Sequence, residues 1–270
     1  MRQRLMRRWM ILVGAIPLAA AGPGQAQTTA TIRQALLGES SQPTAEISTD
    51  ELVRILRQGS ATVLDARPHR EYAVSHIPGA RNVAPKPGVS PSAYVSDVAE
   101  IGRLVNADHS APIVLYCNGP QCGKSKRLAS ELVAAGYRNV RRYQLGIPVW
   151  RALGEVCETE AEGLRYIVEN DKTAVIIDAR AAGEFAAGSV PTARNVPRDL
   201  VLPGKDTGEV RRAKDDGRLP MEDHNTRIVV LGADARTARY VAEAIAREAF
   251  HNVSYFPGSF EDAVTGLGRQ

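Results

Sequence analysis

Three cysteines in 270 residues are too few for a disulfide scaffold, and with the five histidines they form no zinc-ligand spacing. Nor is there an uninterrupted apolar stretch of the roughly 20 residues that a membrane-spanning helix needs. The run from Trp9 to Ala21 is broken by Gly14 and Pro17 and followed by Gly22-Pro23-Gly24. Acidic residues are missing from the first 26 positions, which carry Arg2, Arg4, Arg7 and Arg8. A basic start, a short apolar run and the small residue Ala26 are the parts of a secretory signal. Residues 1–26 are therefore expected to be removed on export, most simply to a bacterial periplasm, with Arg7-Arg8 leaving a twin-arginine route open. Surplus charge is missing too. Without the four leader arginines, 30 basic residues face 30 acidic ones, so the sequence pI of about 9.0 is largely made by the leader. The usual inference from basic charge to nucleic acid loses its footing, and no membrane partner is expected after cleavage. What remains, 44% apolar and 24% charged, has the composition of a globular chain long enough for two domains.

Residues 27–45 are rich in Thr, Ser, Gln and Ala and read as a leader or linker with a helical turn near Ile32–Leu37 and no chemistry. Ser48 and Glu51 make a capping box ahead of Leu52, Ile55 and Leu56 at helical spacing. A strand at 61–64, a short helix around Glu71, a helix from about Tyr94 to Val105 and an all-apolar strand at 113–116 follow. Strands alternating with helices predict an α/β fold, a parallel sheet flanked by helices. The pattern occurs twice. Asp65, Arg67, Glu71, Pro78, Ala80, Arg81, Asn82 and Val83 return 113 residues later as Asp178, Arg180, Glu184, Pro191, Ala193, Arg194, Asn195 and Val196. Asn139-Val140 returns as Asn252-Val253. This period is too long for a solenoid and predicts two homologous domains joined near Ala152 to Glu162, with an extra polar segment at 203–227 inserted in the second.

The strand at 113–116 runs into Cys117, and Asn118-Gly119-Pro120-Gln121-Cys122-Gly123-Lys124 leads to a helix near Ser125. Open parallel sheets place ligands at the carboxyl ends of their strands. A glycine-containing loop before a helix aims backbone N–H groups at one point. A thiolate there is stabilised, lowering a cysteine pKa from about 8.5 to between about 3.5 and 7.5. Cys117 is the candidate nucleophile; Asn118, Gly119, Gln121, Cys122, Gly123 and Lys124 are the candidate substrate-binding residues. The competing reading of Cys117 is a small buried hydrophobe.

Both halves resemble rhodanese (thiosulfate sulfurtransferase) domains, over roughly residues 46–154 and 160–266. The resemblance rests on Val63-Leu64-Asp65-Ala66-Arg67, Glu71-Tyr72, Ser75 through Asn82, and Leu115-Tyr116-Cys117 before a loop and helix. It implies two rhodanese-like domains in tandem and a persulfide on Cys117. The sulfur would come from a small donor such as thiosulfate and pass to a thiol or cyanide, with no cofactor and no metal. The family's loop closes with an arginine about five residues after the cysteine; here that position is Cys122 and the first basic residue is Lys124. Lysine lacks the planar fork that suits oxyanions. The loop is also longer than usual, a feature of the phosphatase and arsenate-reductase relatives, which however keep the arginine.

In the second repeat the corresponding strand at 228–231 ends at Gly232, followed by Ala233-Asp234-Ala235-Arg236. No thiol is present, so this domain is expected to be a non-catalytic partner. Arg67 with Glu71, four apart and repeated as Arg180 with Glu184, reads as a structural ion pair. Trp150 reads as packing. Two rivals stay open: a binding protein that keeps the fold without turnover, and a dithiol redox protein using Cys117 and Cys122. In an oxidising compartment the two cysteines, five positions apart, are also expected to be able to form a disulfide.

Overall fold

The computed structural model describes residues 31–84 and 97–268; the expected signal segment lies outside the described residues. Two five-stranded sheets, parallel throughout, carry the architecture. Across the first lie β1 (Ala45–Glu46), β5 (Val140–Tyr143), β4 (Ile113–Tyr116), β2 (Thr62–Asp65) and β3 (Arg81–Asn82). Across the second lie β6 (Cys157–Glu158), β10 (Val253–Tyr255), β9 (Ile228–Leu231), β7 (Val175–Asp178) and β8 (Arg194–Asn195), in the equivalent order. The central registers also correspond, with Leu64 beside Leu115 and Ile177 beside Val230.

β4 is buried at every position, as a strand covered on both faces must be. Its alternation divides the core. Val114 and Tyr116 join Val63, Tyr143 and Trp150 in one apolar cluster, while Ile113 and Leu115 join Leu64, Leu128 and Leu132 in another. The helices of the first half are α1 (Thr49–Gln58), α2 (His69–Val74), α3 (Val98–Leu104), α4 (Lys124–Ala134) and α5 (Gly146–Ala152). Those of the second are α6 (Ala161–Asn170), α7 (Ala182–Ala187), α8 (Gly208–Asp215), α9 (Ala235–Ala246) and α10 (Phe260–Gly268). At the start of α1, Ser48 Oγ accepts the Glu51 N–H at 3.2 Å, one half of the expected capping box; the Glu51 carboxylate turns instead to Arg141 at 2.6 Å.

Three expectations need correction. The helix expected from Tyr94 begins, within the described residues, at Val98. The polar segment 203–227 is not an insertion but the counterpart of the α3 connection. It holds α8, whose Val210 and Ala213 enter the second core as Ile101 of α3 enters the first. Its charge is only partly on the exposed positions Arg211, Arg212 and Asp215: Glu209 is buried against Arg218, and half-buried Lys214 pairs with Asp206 and buried Glu248. Finally, Arg67 does not pair with Glu71. Its guanidinium donates to both oxygens of buried Asp65 (Nε at 3.0 Å, Nη2 at 2.5 Å) and to Ser75 O at 2.6 Å. Asn82 Nδ2 ties the backbone oxygens of Asp65 and Arg67. Burial alone would push the Arg67 pKa down, but the Asp65 charge overrides it and the net shift is upward. Asp178, Arg180 and Asn195 repeat the latch. The duplicated motif thus closes the end of β2 and of β7, a framework role that needs no thiol.

The two halves meet through backbone as well as side chains. His76 and Glu158 exchange N–H···O bonds of 2.9 and 2.8 Å across the boundary. The Glu158 carboxylate also lies 3.3 Å from His76 Nε2 and accepts from Tyr255 O–H at 2.6 Å. Free Cys157, beside Glu158, is buried in the first half's core. Trp150 is buried as expected, its Nε1–H donating to Val156 O at 3.0 Å.

Burial raises the Glu158 pKa, but the bonds from His76 and Tyr255 outweigh it and hold the group below its ordinary 4.5. A depressed carboxylate contributes stability that is present above the ordinary value and lost as pH falls through the folded-state value. Glu158→Gln is therefore expected to lower the melting temperature at neutral pH, with the gap to wild type closing below about pH 4. Thermal melts of both proteins across pH 3–7 check this; a gap independent of pH would show that the carboxylate charge is not what matters.

Candidate active site

The chain leaves β4 at Tyr116 and enters α4 at Lys124 through residues 117–123; in the second half only 232–234 separate β9 from α9. This length difference, in otherwise matching frameworks, gives the first half a cradle that the second lacks. α4 buries Ser125, Leu128, Ala129 and Leu132 along one face, which fixes its amino terminus beside the end of β4. In the second half the equivalent terminus is already capped: Asp234 Oδ1 accepts the Thr237 N–H at 2.7 Å. A capping carboxylate there opposes an anion.

Cys117 heads the loop and is 1% exposed. It is bonded through sulfur to Cys122, with the two Cα atoms 6.2 Å apart, so the disulfide left open by the sequence is present. Cys122 accordingly has a different place from the anion donor expected of it. Its N–H closes a turn onto Gly119 O at 3.0 Å, its sulfur is taken by Cys117, and it is half-buried. Asn118 and Gln121 are exposed, and Asn118 Nδ2 donates to Glu71 Oε2 at 2.6 Å. Gly119 is buried, whereas Gly123 and Lys124 are exposed at the start of α4. Lys124 forms no ion pair among the described residues, which leaves its charge available to an anion at the helix start.

Residues outside the loop hold its shape, and sequence reasoning missed them. Ile147 N–H donates to Cys117 O at 3.2 Å, and Gln144 Nε2 lies 3.5 Å from Gly119 O. Gly119 and Gly146 both adopt left-handed backbone, at φ of 92° and 67°. A Cβ on Gly146 would overlap Gly119 N and stand 2.5 Å from Cys117 O. Gly146-Ile147-Pro148 is visible in the sequence, but nothing local says that it lies beneath a loop thirty residues earlier. Gly146→Ala is expected to cost about 1–3 kcal/mol through overpacking and left-handed strain and to displace the Cys117 loop. Urea denaturation and the alkylation rate of Cys117 after reduction would register both; unchanged values would show that the loop tolerates the shift.

The leader is also more than a linker. Glu39 pairs with Lys126, and its other oxygen accepts from Arg142 Nη1 at 3.1 Å. Lys126 reaches Pro120 O at 3.3 Å, and fully buried Arg142 donates to Gln144 Oε1 at 2.6 Å. A residue before β1 thereby braces both the loop and the segment beneath it. Its partners stand 87 and 103 positions away, beyond any local signal.

Among known proteins, the Rhodanese-like domain family matches residues 48–153 and again 161–264. A Mycobacterium tuberculosis protein named "Putative thiosulfate sulfurtransferase SseB" is 26% identical over 267 residues, covering 80% of this chain and 92% of that protein. An HTH-type transcriptional regulator of the same organism is 35% identical over 112 residues; the match covers 42% of this chain and spans 44% of the regulator's length. The crystal structure of SseA from Escherichia coli, described with the rhodanese fold of 3-mercaptopyruvate sulfotransferases, is 22% identical. It covers 80% of this chain and 98% of that one, with a TM-score of 0.35. Two parallel sheets in equivalent order and two matches spanning most of the chain establish that this protein belongs to the rhodanese-like family, with two rhodanese-like domains in tandem.

Proposed function

We propose that the protein is an exported sulfurtransferase with one active site, in which Cys117 carries a sulfane sulfur as a persulfide. One observation carries this reading: a buried cysteine at the carboxyl end of β4 heads a loop that delivers the chain to the start of α4, while Gly232 takes its place in the other domain. The kinship with sulfurtransferases supports the chemistry. The donor would be thiosulfate or a related small molecule. Once the disulfide is reduced, the Cys117 thiolate attacks the donor's sulfane sulfur, the donor S–S bond breaks, and sulfite leaves with the electron pair. A thiol or cyanide then attacks the outer sulfur of the persulfide and restores the thiolate. The start of α4 and the Lys124 charge favour the anionic donor. Arginine would grip an oxyanion through two bonds and Lys124 through a point charge, so weak retention of thiosulfate is expected.

Export is part of the proposal. The signal-like composition of 1–26 supports it. Among the described residues no helix is long and apolar enough to cross a membrane. The Cys117–Cys122 bond also favours a second reading, a dithiol redox protein that exchanges electrons without carrying sulfur. Mass spectrometry separates the two. Reduced Cys122→Ser protein treated with thiosulfate should gain the mass of one sulfur atom on the Cys117 peptide; a variant that never binds sulfur, while wild type still cycles between dithiol and disulfide, would favour the redox reading.

A further inference from the structure

We infer that Cys122 is a resolving thiol, which discharges the Cys117 persulfide within the chain and releases hydrogen sulfide; this rests on the persulfide reading above. The observation is a covalent bond between the candidate nucleophile and the residue standing where the family's loop arginine is expected. The Cα separation of 6.2 Å lies inside the range spanned by a two-sulfur bridge, about 4.4–6.8 Å. The turn that brings Cys122 there is fixed by its own N–H to Gly119 O, and Gly119 is in turn held against Gln144 and the Gly146 backbone. Cys122 is therefore positioned by the loop to reach the Cys117 sulfur, not merely close to it in sequence.

The step balances without an added oxidant. In the loaded protein Cys117 bears –S–SH. The Cys122 thiolate attacks Cys117 Sγ, the bond between Sγ and the sulfane sulfur breaks, and that sulfur leaves as HS⁻ with the bonding pair. The sulfane sulfur is reduced to sulfide while the Cys122 sulfur is oxidised from thiolate to disulfide; Cys117 Sγ, already oxidised in the persulfide, keeps its oxidation state. Attack on the outer sulfur would instead move the persulfide to Cys122 and leave no disulfide; only attack on the inner one ends in the Cys117–Cys122 bond. Renewal requires a dithiol reductant. Cys117 is almost wholly buried and Cys122 is half-buried, so the incoming thiolate reaches Cys122 and expels the Cys117 thiolate, the group needed for the next donor. The second domain, with Gly232 and a short connection, has neither thiol.

The test is a single turnover on the full chain. Protein is reduced, freed of reductant under anaerobic conditions, and given one equivalent of sulfane sulfur as thiosulfate or, in a parallel arm, inorganic polysulfide, which loads reactive thiolates without a dedicated site. Wild type should release one equivalent of sulfide and finish with Cys117 and Cys122 protected from alkylation. Cys122→Ser, and Cys122→Ala as a second variant, should keep one extra sulfur on Cys117 in both arms and, in the thiosulfate arm, release no sulfide above the protein-free background until a thiol is added. Equal sulfide from wild type and both variants, or a stable Cys117 persulfide in wild type, overturns the role of Cys122. Failure is distinguishable from failure of the underlying reading: persulfide in the Cys122 variants from polysulfide but not thiosulfate removes only the donor. Absence of any Cys117 persulfide from either source removes the sulfurtransferase reading and this step with it.

Discussion

Serine at position 117 is expected to leave no persulfide and no thiocyanate from thiosulfate and cyanide, because an alcohol cannot supply the polarizable thiolate that the transfer needs. The substitution also removes the disulfide, so stability must be separated from chemistry. In the chain-entropy account, closing so short a loop is worth about 2 kcal/mol, and a buried hydroxyl without a partner costs about 1–3 kcal/mol. Cys122→Ser loses the same bridge but keeps the buried thiol. In protein reduced and then freed of reductant, therefore, Cys122→Ser should retain a sulfur on Cys117 and wild type should take one up and release it as sulfide, while Cys117→Ser should do neither, at matched folded fractions in circular dichroism. Sulfur transfer retained by folded Cys117→Ser would sink the assignment.

Gly163→Ala is expected to have the largest effect on stability, about 1–3 kcal/mol or more from overpacking, although the residue is far from the loop. Gly163 is buried on α6 where that helix meets the end of α2. A Cβ there would fall within the Ala73 carbonyl and stand 2.6 Å from Val74 N. Backbone cannot swing aside as a side-chain tip does, so the helices must separate. The bonds beside the contact, Glu160 N–H to Ala73 O at 2.8 Å and Thr159 Oγ1–H to Val74 O at 3.0 Å, would lengthen with them. Gly183→Ala is the control. Gly183 is exposed on α7 with open space around it, and the change should be neutral or stabilising by up to about 1 kcal/mol. Urea denaturation of both variants, with limited proteolysis around residues 154–160, checks the contrast. An undisturbed Gly163→Ala would mean that the two domains are not held this closely.

The duplicated architecture was legible because local rules and the sequence period agree. Apolar strands such as Ile113–Tyr116, the Ser48 cap and the recurrence of Asp65, Arg67 and Asn82 as Asp178, Arg180 and Asn195 each point to the same framework, and the structure has it. The position of Cys117 followed from the same logic, since the residue after a buried parallel strand lies where such sheets expose their loops. The partner of Arg67 was misread because helical spacing favours Glu71, whereas the turn after β2 bends the guanidinium back onto Asp65. Segment 203–227 was misread because charged residues outnumber the apolar ones on its helix, although part of that charge is paired and buried rather than solvated.

Side-chain spacing along the chain thus determined which strands and helices form, that they form twice, and which thiol stands at a strand end. Only the tertiary structure decided what surrounds that thiol: Gly146 and Gln144 beneath the loop, Glu71 on Asn118, Glu39 across Lys126 and Arg142, and Cys122 bonded to its sulfur. The division has a physical cause. Strand and helix propensity, capping and hydrophobic period act within a few residues and are written locally. The contacts that shape an active loop join segments up to about a hundred positions apart, whose meeting depends on strand order in the sheet and on packing that no local pattern encodes.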